Sequence, residues 1–95
     1  MGIMALKRDI VERIERDFGN KAGGVLIKSE QLIAESPELF ADRILRCIIF
    51  ASCGDVSRFK HFAEVARHDP RDVILAGECD DNWRTVRDLT QPFGA

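Results

Sequence analysis

The residues best suited to chemistry lie on one predicted helix. His61, Glu64 and His68 stand at positions i, i+3 and i+7, so they project from one side of a helix and are able to converge on a metal ion. We keep a metal- or substrate-binding enzyme site there as the alternative function. However, Val65 occupies the position where an H-E-x-x-H pair carries its second histidine. The neighbouring cations Lys60 and Arg67 would also repel a divalent ion. A solvated polar face explains the same residues, so we predict no metal, no other cofactor and no catalytic residue.

The three cysteines, Cys47, Cys53 and Cys79, are the next candidate ligands or nucleophiles. Cys47 and Cys53 lie about 120° apart around a helix, and the sequence has no C-x-x-C motif for zinc or redox chemistry. Cys79 stands among acidic residues near a helix end, the opposite of the cationic surroundings that activate a nucleophilic thiol. We therefore expect free thiols in a reducing cytoplasm.

Charge is nearly balanced along the 95-residue chain, with 14 basic and 16 acidic residues and a formal net charge of −2. This balance weighs against nucleic-acid binding, whose affinity comes mostly from lysine and arginine contacts to phosphates. It also gives no polybasic patch for a membrane. Acidic residues interrupt the basic run between Arg58 and Arg71, so a nucleic-acid-associated regulator is the third and least favoured function. The apolar run before Lys7 is too short for a signal peptide, which again predicts a cytoplasmic protein.

The element that must position these residues is a predicted central helix, Leu39–Cys53. Its only strongly polar side chains, Asp42, Arg43 and Arg46, form one narrow stripe on a helical wheel, and Phe50 lies in the same sector. The second half is apolar or small on every side. We expect its neighbours to bury it, or its last face to contact another chain. It is too short for a membrane span, which needs about 20 apolar residues.

The flanking segments predict an all-α fold, a compact bundle of about five helices arranged as antiparallel hairpins around the central helix. Helix starts are indicated by the capping residues Ser36, Asp55 and Asp69. The segment Gly19–Gly24 has glycines at P-loop spacing but lacks the lysine and the preceding strand, so we expect a turn. The other predicted helices are Ile3–Phe18, Val25–Glu35, Val56–His68 and Pro70–Glu78. Residues 1–79 would form a single helical domain.

Residues 80–95 are predicted to form an irregular C-terminal tail. We expect the tail to dock on its own domain, because tryptophan and phenylalanine gain much from burial. Two alternatives stay open: insertion into a partner or twin subunit, or pairing of Val73–Cys79 with Trp83–Leu89 as a β-hairpin. The apolar anchors of the tail are Trp83, Val86, Leu89 and Phe93.

The function that the sequence favours is non-catalytic contact with another protein or with a second copy of the chain, as an adaptor or regulator. Phe50 and the apolar anchors of the tail, exposed together, would form a patch larger than monomers usually tolerate. We therefore predict a homodimer or a partner-bound state that buries Phe50 and the tail. Arg43 and Arg46 would lie at the same surface.

Overall fold

A computed structural model describes residues 6–93, in which the regular secondary structure is entirely helical and there is no β-strand. The all-α prediction is confirmed. The helices are α1 (Arg8–Phe18), α2 (Ala22–Glu35), α3 (Asp42–Ser52), α4 (Val56–His68) and α5 (Pro70–Glu78). None of them combines the length and the apolar character that crossing a membrane requires. The predicted start of the first helix at Ile3 lies outside the described residues.

Helix α3 lies at the centre of the core. Every residue from Ile44 to Ile49 is buried, and α3 packs on α5, on α4 and, less extensively, on α1. A helix that is apolar around most of its circumference needs neighbours on several sides, and these three supply them. The end of the helix differs from the prediction by one residue, because Cys53 adopts a left-handed conformation (φ 51°) and is exposed.

The predicted start of this helix at Leu39 is wrong. Pro37–Phe40 forms a separate turn, in which the backbone N–H of Phe40 donates to the carbonyl of Ser36 (3.0 Å). Ala41 is then extended (φ −64°, ψ 167°), and α3 begins at Asp42 without a side-chain cap. Phe40 is buried although it is not part of α3. The apolar pattern therefore continues across a point where the helical conformation is interrupted.

The junction between α1 and α2 is shorter than predicted. Gly19 has a positive φ (55°), but its ψ of −123° directs the chain into a 3-10 turn over Gly19–Lys21. Helix α2 therefore begins at Ala22 rather than Val25, and Gly23 and Gly24 are helical. The apolar stripe of α1 is buried as expected, through Ile10, Ile14 and Phe18.

Helices α4 and α5 have the predicted bounds because their caps form as expected. The Asp55 carboxylate accepts from the backbone N–H groups of Ser57 (2.8 Å) and Arg58 (3.2 Å). The Asp69 carboxylate accepts from the N–H of Arg71 (3.1 Å). Satisfied N–H groups at the first turn fix where each helix starts.

The tail follows α5 as an irregular segment. Its only β-type pairing in residues 79–93 is a single antiparallel bridge between Cys79 and Thr85. The alternative of a β-hairpin is wrong, because α5 stays helical through Glu78 and leaves no first strand. The last two residues of the predicted tail, 94 and 95, lie outside the described residues.

Candidate functional site

Arg46, which the helical wheel placed on the polar stripe and which we expected at the partner-contact surface, is buried at 4 % exposure. Its Nε and Nη2 donate to the two carboxylate oxygens of Asp9 in α1 (2.9 and 3.2 Å). Its Nη1 donates to the backbone carbonyl of Leu89 in the tail (3.3 Å). In the structure a bidentate carboxylate and a tail carbonyl surround the guanidinium in place of water.

Asp9 connects three parts of the fold. One of its oxygens also accepts from the backbone N–H of Phe93 (2.9 Å), so α1, α3 and the tail meet at this carboxylate. Burial raises the pKa of Asp9, but the hydrogen bonds from Arg46 and Phe93 and the charge of Arg46 outweigh it and leave the pKa below its ordinary value.

A second ion pair, made by Arg43 on the same polar stripe of α3, also holds the tail. Arg43 donates from Nε and Nη2 to the two oxygens of Glu78 (2.9 and 2.8 Å), and Glu78 also accepts from the backbone N–H of Leu89 (3.2 Å). The hydrogen bond from Arg43 lowers the pKa of Glu78, and it outweighs the opposing effect of burial. We call the pairs Arg46–Asp9 and Arg43–Glu78 the tail latch.

Phe50 is half-buried and is covered within the chain. The guanidinium carbon of Arg87 lies 4.1 Å from its ring centroid, and that of Arg13 lies 5.5 Å away on a helix of the same domain. The Arg13 guanidinium also lies 4.8 Å from the Phe93 ring. Cation–π contacts of this kind stabilise an aromatic ring beside charged side chains. The predicted patch is therefore not one exposed surface.

The rest of the predicted patch divides into covered and exposed residues. Leu89 is buried and Phe93 is half-buried against the core, whereas Trp83 is 71 % and Val86 50 % exposed. Trp83 has a left-handed backbone (φ 61°). Its loop is fixed by the Asp80 carboxylate, which accepts from the N–H groups two and four residues further on (2.9 and 3.0 Å). Two apolar side chains thus stand on a constrained loop.

The three residues of the alternative enzyme site do not converge. Glu64 accepts from Arg67 (2.7 Å) and lies 3.7 Å from Nε2 of His68. His61 instead packs edge-on against the Phe62 ring, 5.3 Å between centroids. Within residues 6–93 no group of three histidine, cysteine or acidic side chains is placed to hold a metal ion. The geometry of this helix gives the metal alternative no support.

The cysteines are free thiols in three different environments. Cys47 is buried, and burial raises the pKa of its thiol to about 12. Cys53 is exposed and Cys79 is half-buried. A buried thiol with a raised pKa is a poor nucleophile, so Cys47 serves as a small apolar side chain of the core.

A cavity of about 780 Å³ lies between α2 and α4, and we call it the α2/α4 groove. Helix α2 packs mainly on α1, whereas α4 packs on α3 and α5, which leaves the space between α2 and α4 open. Its accessible apolar lining comes from Ile27 and Val56, and the buried core side chains Val25, Phe59 and Ala63 lie beneath them. Its charged lining comes from Lys21, Lys28, Lys60 and Arg67, together with Glu64.

Sequence reasoning missed this groove because it is made by two helices that are not neighbours in the chain. The local trace that the sequence offers is Ile27, a large aliphatic residue of α2 that is 60 % exposed in the structure. A single exposed aliphatic side chain is normal on a protein surface, so Ile27 by itself does not predict a groove.

Comparisons of the chain with protein-family models, with curated proteins and with solved structures find no match.

Proposed function

We propose that this protein acts without catalysis, as a small helical adaptor or regulator that binds another protein, and that the α2/α4 groove is its binding surface. The observation that carries the proposal is the groove itself, in which the accessible apolar side chains Ile27 and Val56 lie beside a cationic rim, above side chains that belong to the core. Its volume of about 780 Å³ lies within the range of about 300 to 1,000 Å³ that ligand sites occupy.

The contact surface that the sequence predicted, around Phe50 and the tail, is already covered by contacts within the chain. This favours the groove as the binding surface. Phe50 is covered by two guanidinium groups, and Arg43 and Arg46 hold the tail through the latch. No buried side-chain nitrogen or oxygen in the described part of the chain lacks a hydrogen-bond partner. The α3 face therefore needs no partner to satisfy it, whereas the α2/α4 groove keeps Ile27 in solvent.

The proposal includes two finer expectations. The short connections on either side of α4 favour antiparallel hairpins around the central α3. The three free thiols favour a reducing compartment such as the cytoplasm.

Site-specific photo-crosslinking in the native cells tests the proposed function. A photo-crosslinking amino acid replaces Ile27 in the groove, and the matched control carries it at Ala34, an exposed residue of α2 that does not line the groove. We expect one defined protein to be crosslinked from position 27 and not from position 34. Equal crosslinking from both positions, or none from position 27, would contradict the proposal.

Self-association through Trp83 and Val86 is the second candidate function. Their exposure on a fixed loop favours it, but two side chains fall short of the roughly 800 Å² per partner that a standard interface buries. Sedimentation velocity over a wide concentration range is the test. A dimer that Trp83→Ala dissociates would support this candidate, and a monomer at high concentration removes it.

A further inference from the structure

The α2/α4 groove has the length of a short helix. Its lining residues extend from Lys21 to Gln31 beside α2 and from Val56 to Arg67 along α4. At a rise of 1.5 Å per residue each side is about 15 Å long, or about three helical turns. A ligand helix lying along such a groove presents anchors at i, i+3 or i+4, and i+7.

The charge of the rim selects the kind of ligand. Four cationic side chains line the groove against one carboxylate, Glu64, although the whole chain is slightly acidic, at −2. Glu64 is already held by Arg67 (2.7 Å). Within residues 6–93, Lys21, Lys28 and Lys60 form no ion pair. Within the described residues, three of the four rim cations, the lysines, are therefore unpaired and lie beside an apolar lining, which complements acidic side chains beside an apolar stripe.

The groove is able to admit a helix without disturbing the core. At Gly24, a lining residue of α2, a Cβ atom would meet nothing within 4 Å, so a ligand backbone has room to approach closely. The side chains of Arg67 and Glu35 link α4 to the end of α2 (3.0 and 3.2 Å). Both are partly exposed, so this link costs little to break.

We infer that the groove binds an amphipathic helix of a partner protein, about three turns long, whose apolar stripe is flanked by aspartate and glutamate. This inference rests on the proposed function and adds the chemistry of the partner. The apolar lining favours a peptide over a nucleic acid, because single strands are held by aromatic stacking platforms. In the groove the one aromatic side chain, Phe59, is only 1 % exposed.

The inference is tested by selection from a displayed peptide library. The library consists of helical peptides with randomised positions, and the purified protein is the target. The blocking variant is Gly24→Leu, and the matched control is Gly23→Leu, because both glycines have open space but only Gly24 lines the groove. Leucine forms helices better than glycine, so neither variant loses binding by unfolding α2. We expect the selected peptides to carry an apolar stripe with acidic flanks.

Fluorescence anisotropy of the selected peptides then measures affinity. We expect Gly24→Leu to weaken binding at least tenfold and Gly23→Leu to leave it unchanged. Lys28→Glu and Lys60→Glu should each weaken it about threefold to tenfold, and more so at low salt. Arg71→Glu, an exposed cation at the start of α5, should have no effect and serves as the charge control.

Several outcomes overturn the inference. These are no enriched peptide, peptides that are neutral or basic, or equal binding to the Gly24→Leu variant. Single-stranded DNA that binds in place of peptide and loses affinity in Lys28→Glu would indicate a nucleic-acid site instead. If the crosslink from position 27 yields a protein partner while any of these outcomes holds, the proposed function stands and only the chemistry assigned to the partner fails.

Discussion

Replacing Gly77 with alanine is expected to destabilise the protein. Gly77 is buried where α5 crosses α3, and an added Cβ atom would lie 2.7 Å from both Cα and Cβ of Cys47 and 2.9 Å from its Sγ. Real Cβ atoms do not approach backbone and side-chain carbons that closely. The α3–α5 pair, which packs more extensively than any other in the described chain, must therefore separate.

The magnitude follows from two opposing effects. Alanine is about 1 kcal/mol better than glycine in a helix interior. Forcing an extra methyl into a well-packed core costs about 1 to 3 kcal/mol, and the upper end applies when a backbone atom such as Cα of Cys47 must move. The expected net loss is about 2 kcal/mol of unfolding free energy for Gly77→Ala, or roughly 10 °C in Tm for a domain of this size.

The matched control is the same substitution at Gly23. A Cβ atom there meets nothing within 4 Å, so Gly23→Ala should raise the free energy of unfolding by about 0.5 to 1 kcal/mol. Urea unfolding followed by far-UV circular dichroism measures both variants, with an unchanged m-value as the two-state check. Adding Cys47→Ala should not rescue Gly77→Ala, because the obstructing Cα and Cβ atoms remain. Equal stability of the two glycine variants would refute the reasoning.

Three further predictions concern the tail latch and the thiols. Arg46→Ala should cost about 3 kcal/mol of unfolding free energy by leaving the Asp9 carboxylate without its cation, and a double-mutant cycle with Asp9→Ala should show strong coupling; additive energies would contradict it. The pKa values of Asp9 and Glu78 in the folded protein are lowered below their ordinary values of 3.8 and 4.5. The two carboxylates therefore stabilise the fold fully at a pH above these ordinary values, and this stabilisation is lost as the pH falls through the pKa values of the folded state. The urea concentration at the unfolding midpoint should therefore decrease as the pH is lowered below about 4, and it should decrease less in Asp9→Asn. A midpoint that does not change with pH in this range would contradict the prediction. Ellman's reagent should modify Cys53 rapidly and Cys47 only on unfolding, which Cys53→Ser tests by removing the fast phase.

Local sequence signals predicted α4 and α5 because their bounds are determined locally. A carboxylate at Asp55 or Asp69 caps the N–H groups of the next turn, whatever the rest of the chain does. The start of α3 was not predictable in this way. Leu39 and Phe40 are apolar in either conformation, and the extended backbone of Ala41 that separates them from the helix leaves no mark in hydrophobic periodicity.

The candidate site was harder to predict, for a related reason. Periodicity assigned Arg46 correctly to the polar stripe of its helix, but whether water or protein covers that stripe depends on Asp9 and the tail, which are distant in sequence. The α2/α4 groove is likewise a property of two helices that each pack on other partners. Only Ile27 carried a local trace of it.

The position of the groove also explains how a helix would bind there at low cost. The chain packs as an α1–α2 pair and an α3–α4–α5 group, joined by contacts of α1 with α3 and by the edge-on packing of Phe18 on Phe59, 6.0 Å between centroids. The Arg46–Asp9 pair of the latch fixes the same junction. The groove follows the part of the boundary that these contacts leave unfilled. Since Val25 and Phe59 are already held by the core on both sides, a partner helix meets a preorganised lining, and its binding energy is not spent on ordering the protein.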